Sequence, residues 1–170
     1  VTSKVTVAAT PRVRVPEGAI LVTFPWNFAD SSLDTILDPL NFGVDYLAYR
    51  WDPNTAQYLP QVSARRGDSV WIVALNDYAI QTLNGATIPG DINDGGPTTT
   101  LQPGWNMIGN PYPFPIRLSQ LVAIGLSDPS QTLTWDQLVA NGWVSPSLAF
   151  WDRDPLDPNS GFYRYTEGNT

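Results

Sequence analysis

Residues 13–28, VRVPEGAILVTFPWNF, laid over residues 99–114, TTLQPGWNMIGNPYPF, decide how the rest of this 170-residue chain is read. At that offset of 86, Gly18 meets Gly104, Pro25 meets Pro111 and Phe28 meets Phe114. Leu21 and Val22 fall on Met107 and Ile108, and Trp26 falls on Tyr112. Identities are few, yet size and polarity agree along the segment, as when one supersecondary unit is used twice.

The correspondence extends outward. After a one-residue gap Leu33 and Ile36 meet Leu118 and Leu121, and Leu47-Ala48-Tyr49 then meets Leu148-Ala149-Phe150. The offset has grown from 85 to 101, so the second copy holds sixteen extra residues, mostly residues 131–146. Both copies next enter an Asp-Pro turn, Trp51-Asp52-Pro53-Asn54 in one and Asp154-Pro155-Leu156-Asp157-Pro158-Asn159 in the other. A strand follows each turn, holding Tyr58 or Tyr163.

There the copies part. Copy one continues through Arg66-Gly67-Asp68 into Val70-Trp71-Ile72-Val73, with Trp71 thirteen residues beyond Tyr58. Thirteen residues beyond Tyr163 is position 176, so copy two is expected to lack the strand that Val70 begins. Residues 5–10 resemble residues 79–87, which follow that strand in copy one. The expected organisation is therefore a single β domain, residues 1–170. It comprises two degenerate repeats, 13–98 and 99–170, closed through an N-terminal strand at residues 1–12.

Local patterning agrees with β structure. Apolar and polar residues alternate over 5–9, 13–15, 70–75 and 79–83, the period of a half-buried strand. Sixteen Pro and thirteen Gly are spread along the chain, which reads as many turns between short strands. Helical patterns are short: residues 31–37 open on a capping-box-like Ser31-Ser32-Leu33-Asp34, and 116–124 and 135–141 each predict one or two turns. The fold class expected is all-β, a β-sandwich or sandwich-like barrel with internal pseudo-duplication and a few short helices.

Composition narrows the partners. Hydrophobic residues make up 42% of the chain, enough for a core. Sixteen acidic against nine basic residues give a net charge of −7 and a pI near 4.2. Phosphate binding needs clustered Lys and Arg, so nucleic acid is not an expected partner. No apolar run approaches the roughly eighteen residues of a membrane helix, so membrane insertion is not expected either. The chain opens on Val1 without a Met, which reads as a processed, exported chain.

The motif Gly104-Trp105-Asn106-Met107-Ile108-Gly109-Asn110-Pro111, preceded by Leu101-Gln102-Pro103, resembles the GWNLIG/GWNLIS-type repeat of exported bacterial surface proteins and enzyme-appended modules. The resemblance covers about two thirds of the chain through the duplication. It implies an extracellular or cell-surface β domain, and it implies no reaction. Copy one departs from it, with Ala19-Ile20 in place of Trp-Asn. On its own residues, Pro103-Gly104 turns the chain into a strand with Trp105 and Met107 on one face and Asn106 and Ile108 on the other. The proline-rich residues 110–115 leave that strand extended, and Tyr112-Pro113 is a candidate cis peptide.

Chemistry is bounded by absences. Without histidine or cysteine the chain has no Ser-His-Asp triad, no Cys-His pair and almost no way to hold zinc. No GxxxxGK[ST] or GxGxxG loop is present. Paired carboxylates near aromatics remain at Asp136, Asp152, Asp154 and Asp157, the raw material of a glycosidase. Turn capping is the commoner use of Asp beside Pro and Asn. The expectation is no catalytic residue and no enzyme.

Two binding arrangements remain open. Asp152, Asp154, Asp157 and Asn159 are spaced so that their oxygens could converge on calcium, the one cofactor considered, and Asp91, Asn93 and Asp94 form a second such loop. Trp135, Trp143 and Trp151 lie in or beside the insertion unique to copy two. Exposed, they would form a sugar-stacking platform or a protein contact; buried, they would form the insertion's own small core. Arg66-Gly67-Asp68 reads as a tight turn before the Val70 strand.

A repeat short of one strand exposes backbone hydrogen-bonding groups and apolar side chains, at a cost of several kcal/mol unless filled. The main expectation is therefore a non-catalytic, secreted, self-assembling surface or filament subunit, a homopolymer built by donor strand complementation. The donor would be the N-terminal segment with Val1, Val5, Val7, Val13 and Val15. The alternative is a carbohydrate-binding or other accessory module of a larger secreted protein.

Overall fold

In the computed structural model, which describes residues 13–80, 86–87, 98–126, 128–154, 157 and 160–167, strands are the main regular structure. Every strand ladder is antiparallel. The chain divides into two compact units, Val1–Pro113 and Phe114–Thr170. The repeat frame starts its second copy at residue 99, fifteen residues before this division.

Unit 1 is organised by the alternation that the sequence carries at Val70, Ile72 and Ala74. That stretch forms β6 (Ser69–Ala74), with all three side chains buried. It lies between β2 (Gly18–Thr23) and β4 (Tyr46–Asp52), and β4 pairs on its far side with β5 (Gln57–Pro60), giving the order β2-β6-β4-β5. Ile72 stands opposite both Ile20 and Ala48, and Ala74 opposite Gly18 and Tyr46. Phe24, Leu33, Ile36, Leu37, Tyr46 and Val70 close the core over this sheet. Burying a side chain of this size is worth about 1.5–3 kcal/mol.

Smaller ladders frame the sheet. β1 (Val13–Val15) pairs with β7 (Tyr78–Ile80), and β3 (Asn27–Phe28) pairs with β8 (Ala86–Thr87). The short helix α1 (Leu33–Ile36) buries Leu33 and Ile36. Its N-cap, Ser32, makes no side-chain cap bond. Instead Asp30 accepts from the Ser32 N–H and from the Thr35 hydroxyl, so the expected Ser-based capping box is replaced by a carboxylate two residues upstream.

The Trp-Asn-Met segment is not the strand that alternation predicts. Gly104 turns at φ +92°, as its counterpart Gly18 does at +88°, a conformation glycine adopts without penalty. The Asn106 side chain then accepts from the Gln102 N–H and donates to the Gln102 and Gly104 carbonyls, closing a loop on itself. Downstream, the Trp51 N–H donates to Met107 Sδ, the Gly109 N–H to the Gly67 carbonyl and Arg66 Nε to the Pro111 carbonyl. In unit 1, β2 is held in its sheet by β6 alone. The repeat counterpart of β2, residues 104–109, has no such neighbour and forms no ladder. Among the described residues the cis peptide is Asp38-Pro39, and Tyr112-Pro113 is not cis.

Unit 2 begins with a 3-10 turn, Leu118–Gln120, where a helix over 116–124 was expected; the remainder of that stretch is β9 (Val122–Ile124). Within it Ala123 is half-buried while Val122 and Ile124 are exposed. β9 pairs with β10 (Thr132–Thr134), and Thr134 caps α2 (Trp135–Ala140) in a reciprocal box with Gln137. The sixteen-residue insertion is thus largely β10 and α2, with Trp135 and Leu138 buried. A hairpin of β11 (Ser147–Asp152) and β12 (Phe162–Glu167) follows.

Candidate functional site

The β11–β12 hairpin repeats the β4–β5 hairpin in detail. In unit 1 Trp51 stands opposite Tyr58, with rings 5.2 Å apart and edge to face at 67°. In unit 2 Trp151 stands opposite Tyr163, at 5.4 Å and 77°. The residue after each Trp, Asp52 or Asp152, ends the strand. Such edge-to-face pairs are worth about 0.5–1.5 kcal/mol beyond area burial. The turns differ: residues 53–56 link the first pair, residues 153–161 the second.

This pairing corrects the repeat alignment by one residue. Matching Leu47-Ala48-Tyr49 to Leu148-Ala149-Phe150 needs an offset of 101, whereas the Trp-Asp pairs set it at 100. A one-residue slip moves every side chain to the opposite face. In the corrected frame Leu148 is the counterpart of buried Ala48, and Phe150 of Arg50. Both share the face of Asp152.

On that face Asp152 pairs with Arg164 at 2.9 Å, and the Arg164 guanidinium sits 5.7 Å from the Phe162 ring centre. The pair is half exposed, so it contributes about 0–1 kcal/mol. Phe150 is 41% exposed and Phe162 is also exposed. On the opposite face Gly161 lies against the Trp151 indole so closely that an added Cβ would collide with it.

The edges distinguish the two hairpins most. β4 has β5 on one side and β6 on the other. β11 has β12 on one side and, among the described residues, no strand on the other. A strand with an open edge and half-exposed apolar side chains can act as a template for another.

The donor valines divide. Val13–Val15 pair with Tyr78–Ile80, and Val15 is fully buried in the core of unit 1, so this stretch is already engaged within the chain's own ladder. Val1, Val5 and Val7 lie outside the described residues.

The three insertion tryptophans do not form one platform. Trp135 is 7% exposed, Trp151 is half-buried against Tyr163, and Trp143 is 64% exposed. Of the calcium candidates, the Asp152 carboxylate faces Arg164, the Asp154 N–H donates to the Ser160 hydroxyl oxygen, and among the described residues no three acidic groups meet. Asn159, Asp91, Asn93 and Asp94 lie outside the described residues. Arg66-Gly67-Asp68 is the expected turn, with Gly67 at φ +85°. Its ends are engaged: Arg66 stacks on Tyr112 at 4.8 Å and Asp68 holds Arg50 at 2.8 Å.

Sequence reasoning missed Arg164, Phe162 and Gly161. Their signal was the alternation Phe162-Tyr163-Arg164, which sets Tyr163 opposite in face to the other two. Comparison with protein-family models, with curated proteins and with solved structures finds no match.

Proposed function

We propose that this chain is a non-catalytic, extracellular structural subunit that self-associates by adding a strand from one copy to the incomplete second unit of another. The observation that carries the reading is the edge of β11, unpaired among the described residues, where its counterpart β4 is paired on both sides. Supporting it, the buried hydrophobics of unit 2 among the described residues are Trp135 and Leu138, both in the insertion, while Phe150 and Phe162 stay exposed. Because Val13–Val15 are already paired with β7, the donor is confined to residues 1–12. The acidic, histidine-free composition and the resemblance to the GWNLIG-type repeat favour a surface role over a reaction.

Light scattering and electron microscopy test this on the full chain and on a variant lacking residues 1–12. The full chain is expected to form concentration-dependent oligomers or filaments, and the variant to remain monomeric. A full chain that stays monomeric at high concentration overturns the reading.

A second reading, an accessory carbohydrate-binding module, rests on Trp143, whose exposed indole could lie on a sugar face. It predicts that binding to an insoluble polysaccharide is lost in Trp143→Ala with the fold intact. Retained binding, or none by the parent chain, removes it.

A further inference from the structure

We infer that the strand which completes unit 2 is residues 5–9 of a second copy, acting as a substitute for β6 in one antiparallel register; this rests on the strand-addition reading above. In β6 the core face is Val70, Ile72 and Ala74, all buried. Residues 5–9 read Val5-Thr6-Val7-Ala8-Ala9. The pattern Val-x-Val/Ile-x-Ala occurs at these two places in the chain and nowhere else. Alternate residues of a strand share a face, so Val5, Val7 and Ala9 would present a row of nearly the same shape as β6.

The earlier comparison of residues 5–10 with residues 79–87 gives way to this one for a topological reason. Tyr78–Ile80 and Ala86–Thr87 pair with β1 and β3, and neither flanks β4. The neighbour that β4 has, and that β11 lacks among the described residues, is β6.

Register follows from the two hairpins. β4 and β6 set Ala48 opposite Ile72 and Tyr46 opposite Ala74. With the Trp-Asp offset of 100, and Val7 standing for Ile72, Val7 falls opposite Leu148 and Val5 opposite Phe150. Both contacts lie on the face where Phe150 is exposed. A slip of one residue would turn Thr6 and Ala8 to that face and leave the valines on the other. Donor and acceptor are different surfaces of the same chain, so each copy gives one strand and takes one. That is a heterologous contact, which grows into an open filament unless its rotation closes a ring.

Cross-linking tests the register, and the absence of native cysteine makes engineered pairs unambiguous. In the full chain, Val7→Cys with Leu148→Cys, and separately Val5→Cys with Phe150→Cys, are oxidised and run without reductant. Each is expected to give a ladder of covalent oligomers, and Thr6→Cys with Leu148→Cys about tenfold less, because disulfides demand close, aligned Cβ positions. A ladder from the Thr6 pair instead overturns the register while leaving strand addition standing. Cross-linked monomer alone overturns donation by a second copy. Assembly that persists while both matched pairs stay silent overturns residues 5–9 as the donor, and a full chain that never assembles overturns both readings.

Discussion

The same hairpin is used twice, and the two uses differ in what lies beside it. β4 sits between β5 and β6 with Tyr46 and Ala48 buried, whereas β11 has one partner among the described residues and leaves Phe150 exposed. The Trp-Tyr pair is kept in both. A hairpin's register is therefore set by its own cross-strand contacts, while its burial is set by the next strand. Two-stranded ribbons are marginal alone, and a third strand brings independent stability.

The largest test of that contrast is truncation of one apolar side chain in each unit. Ile72→Ala should cost about 2–5 kcal/mol by urea denaturation, since the side chain is enclosed by two neighbouring strands. In dilute solution Leu148→Ala should cost well under that, about 1 kcal/mol, because half-buried β11 has less packing to lose. Equal losses would contradict the account of unit 2 as the less complete unit.

Next in size is the hairpin's own lock. In Gly161→Val the new side chain would displace the Trp151 indole, at a cost of about 1–3 kcal/mol. Tryptophan fluorescence should shift to the red as the Trp151–Tyr163 pair opens. Unchanged emission and stability would show that the Trp-Tyr pair does not set the unit 2 register.

How much of this was legible beforehand depends on how local the signal was. Alternation found β6 and β1, and the capping box at Thr134-x-x-Gln137 coincides with the start of a helix read from residues 135–141. Residues 105–108 carry alternation too, yet form no ladder, because a strand needs a neighbour as well as a pattern. The likeness of the two hairpins is legible in the sequence, but aligning on Leu-Ala-aromatic rather than on Trp-Asp misplaces the faces by one residue. Only cross-strand pairing, a non-local fact, corrected it.

The smallest effects concern pH, and they also divide by unit. In unit 1 the Ser32 N–H and then the Thr35 hydroxyl hold Asp30 below the usual carboxylate range. The Asn41 N–H does so for Asp45, and the Thr55 hydroxyl with the Asn54 N–H for Asp52. In unit 2 the Ser130 hydroxyl and N–H act likewise on Asp128. A carboxylate lowered by folding stabilises the fold above its unfolded pKa, and that stability is lost as pH falls through its folded value. Tyr46 has the opposite sign. Burial, then the Asp34 charge, raises its phenol well above the usual tyrosine range, so its contribution is full below its unfolded pKa and is lost as pH rises through the folded value. With no histidine to titrate, thermal unfolding of unit 1 should be nearly flat around neutrality and fall on both flanks. A step near pH 6.5 would contradict this assignment.

Hydrogen exchange across residues 147–152, followed by mass spectrometry at rising protein concentration, tests the central claim most directly. If β11 is completed by another copy, its amides gain protection as the full chain assembles and gain none in the variant lacking residues 1–12. Protection that is already high in dilute solution, or that is the same with and without those residues, would contradict it.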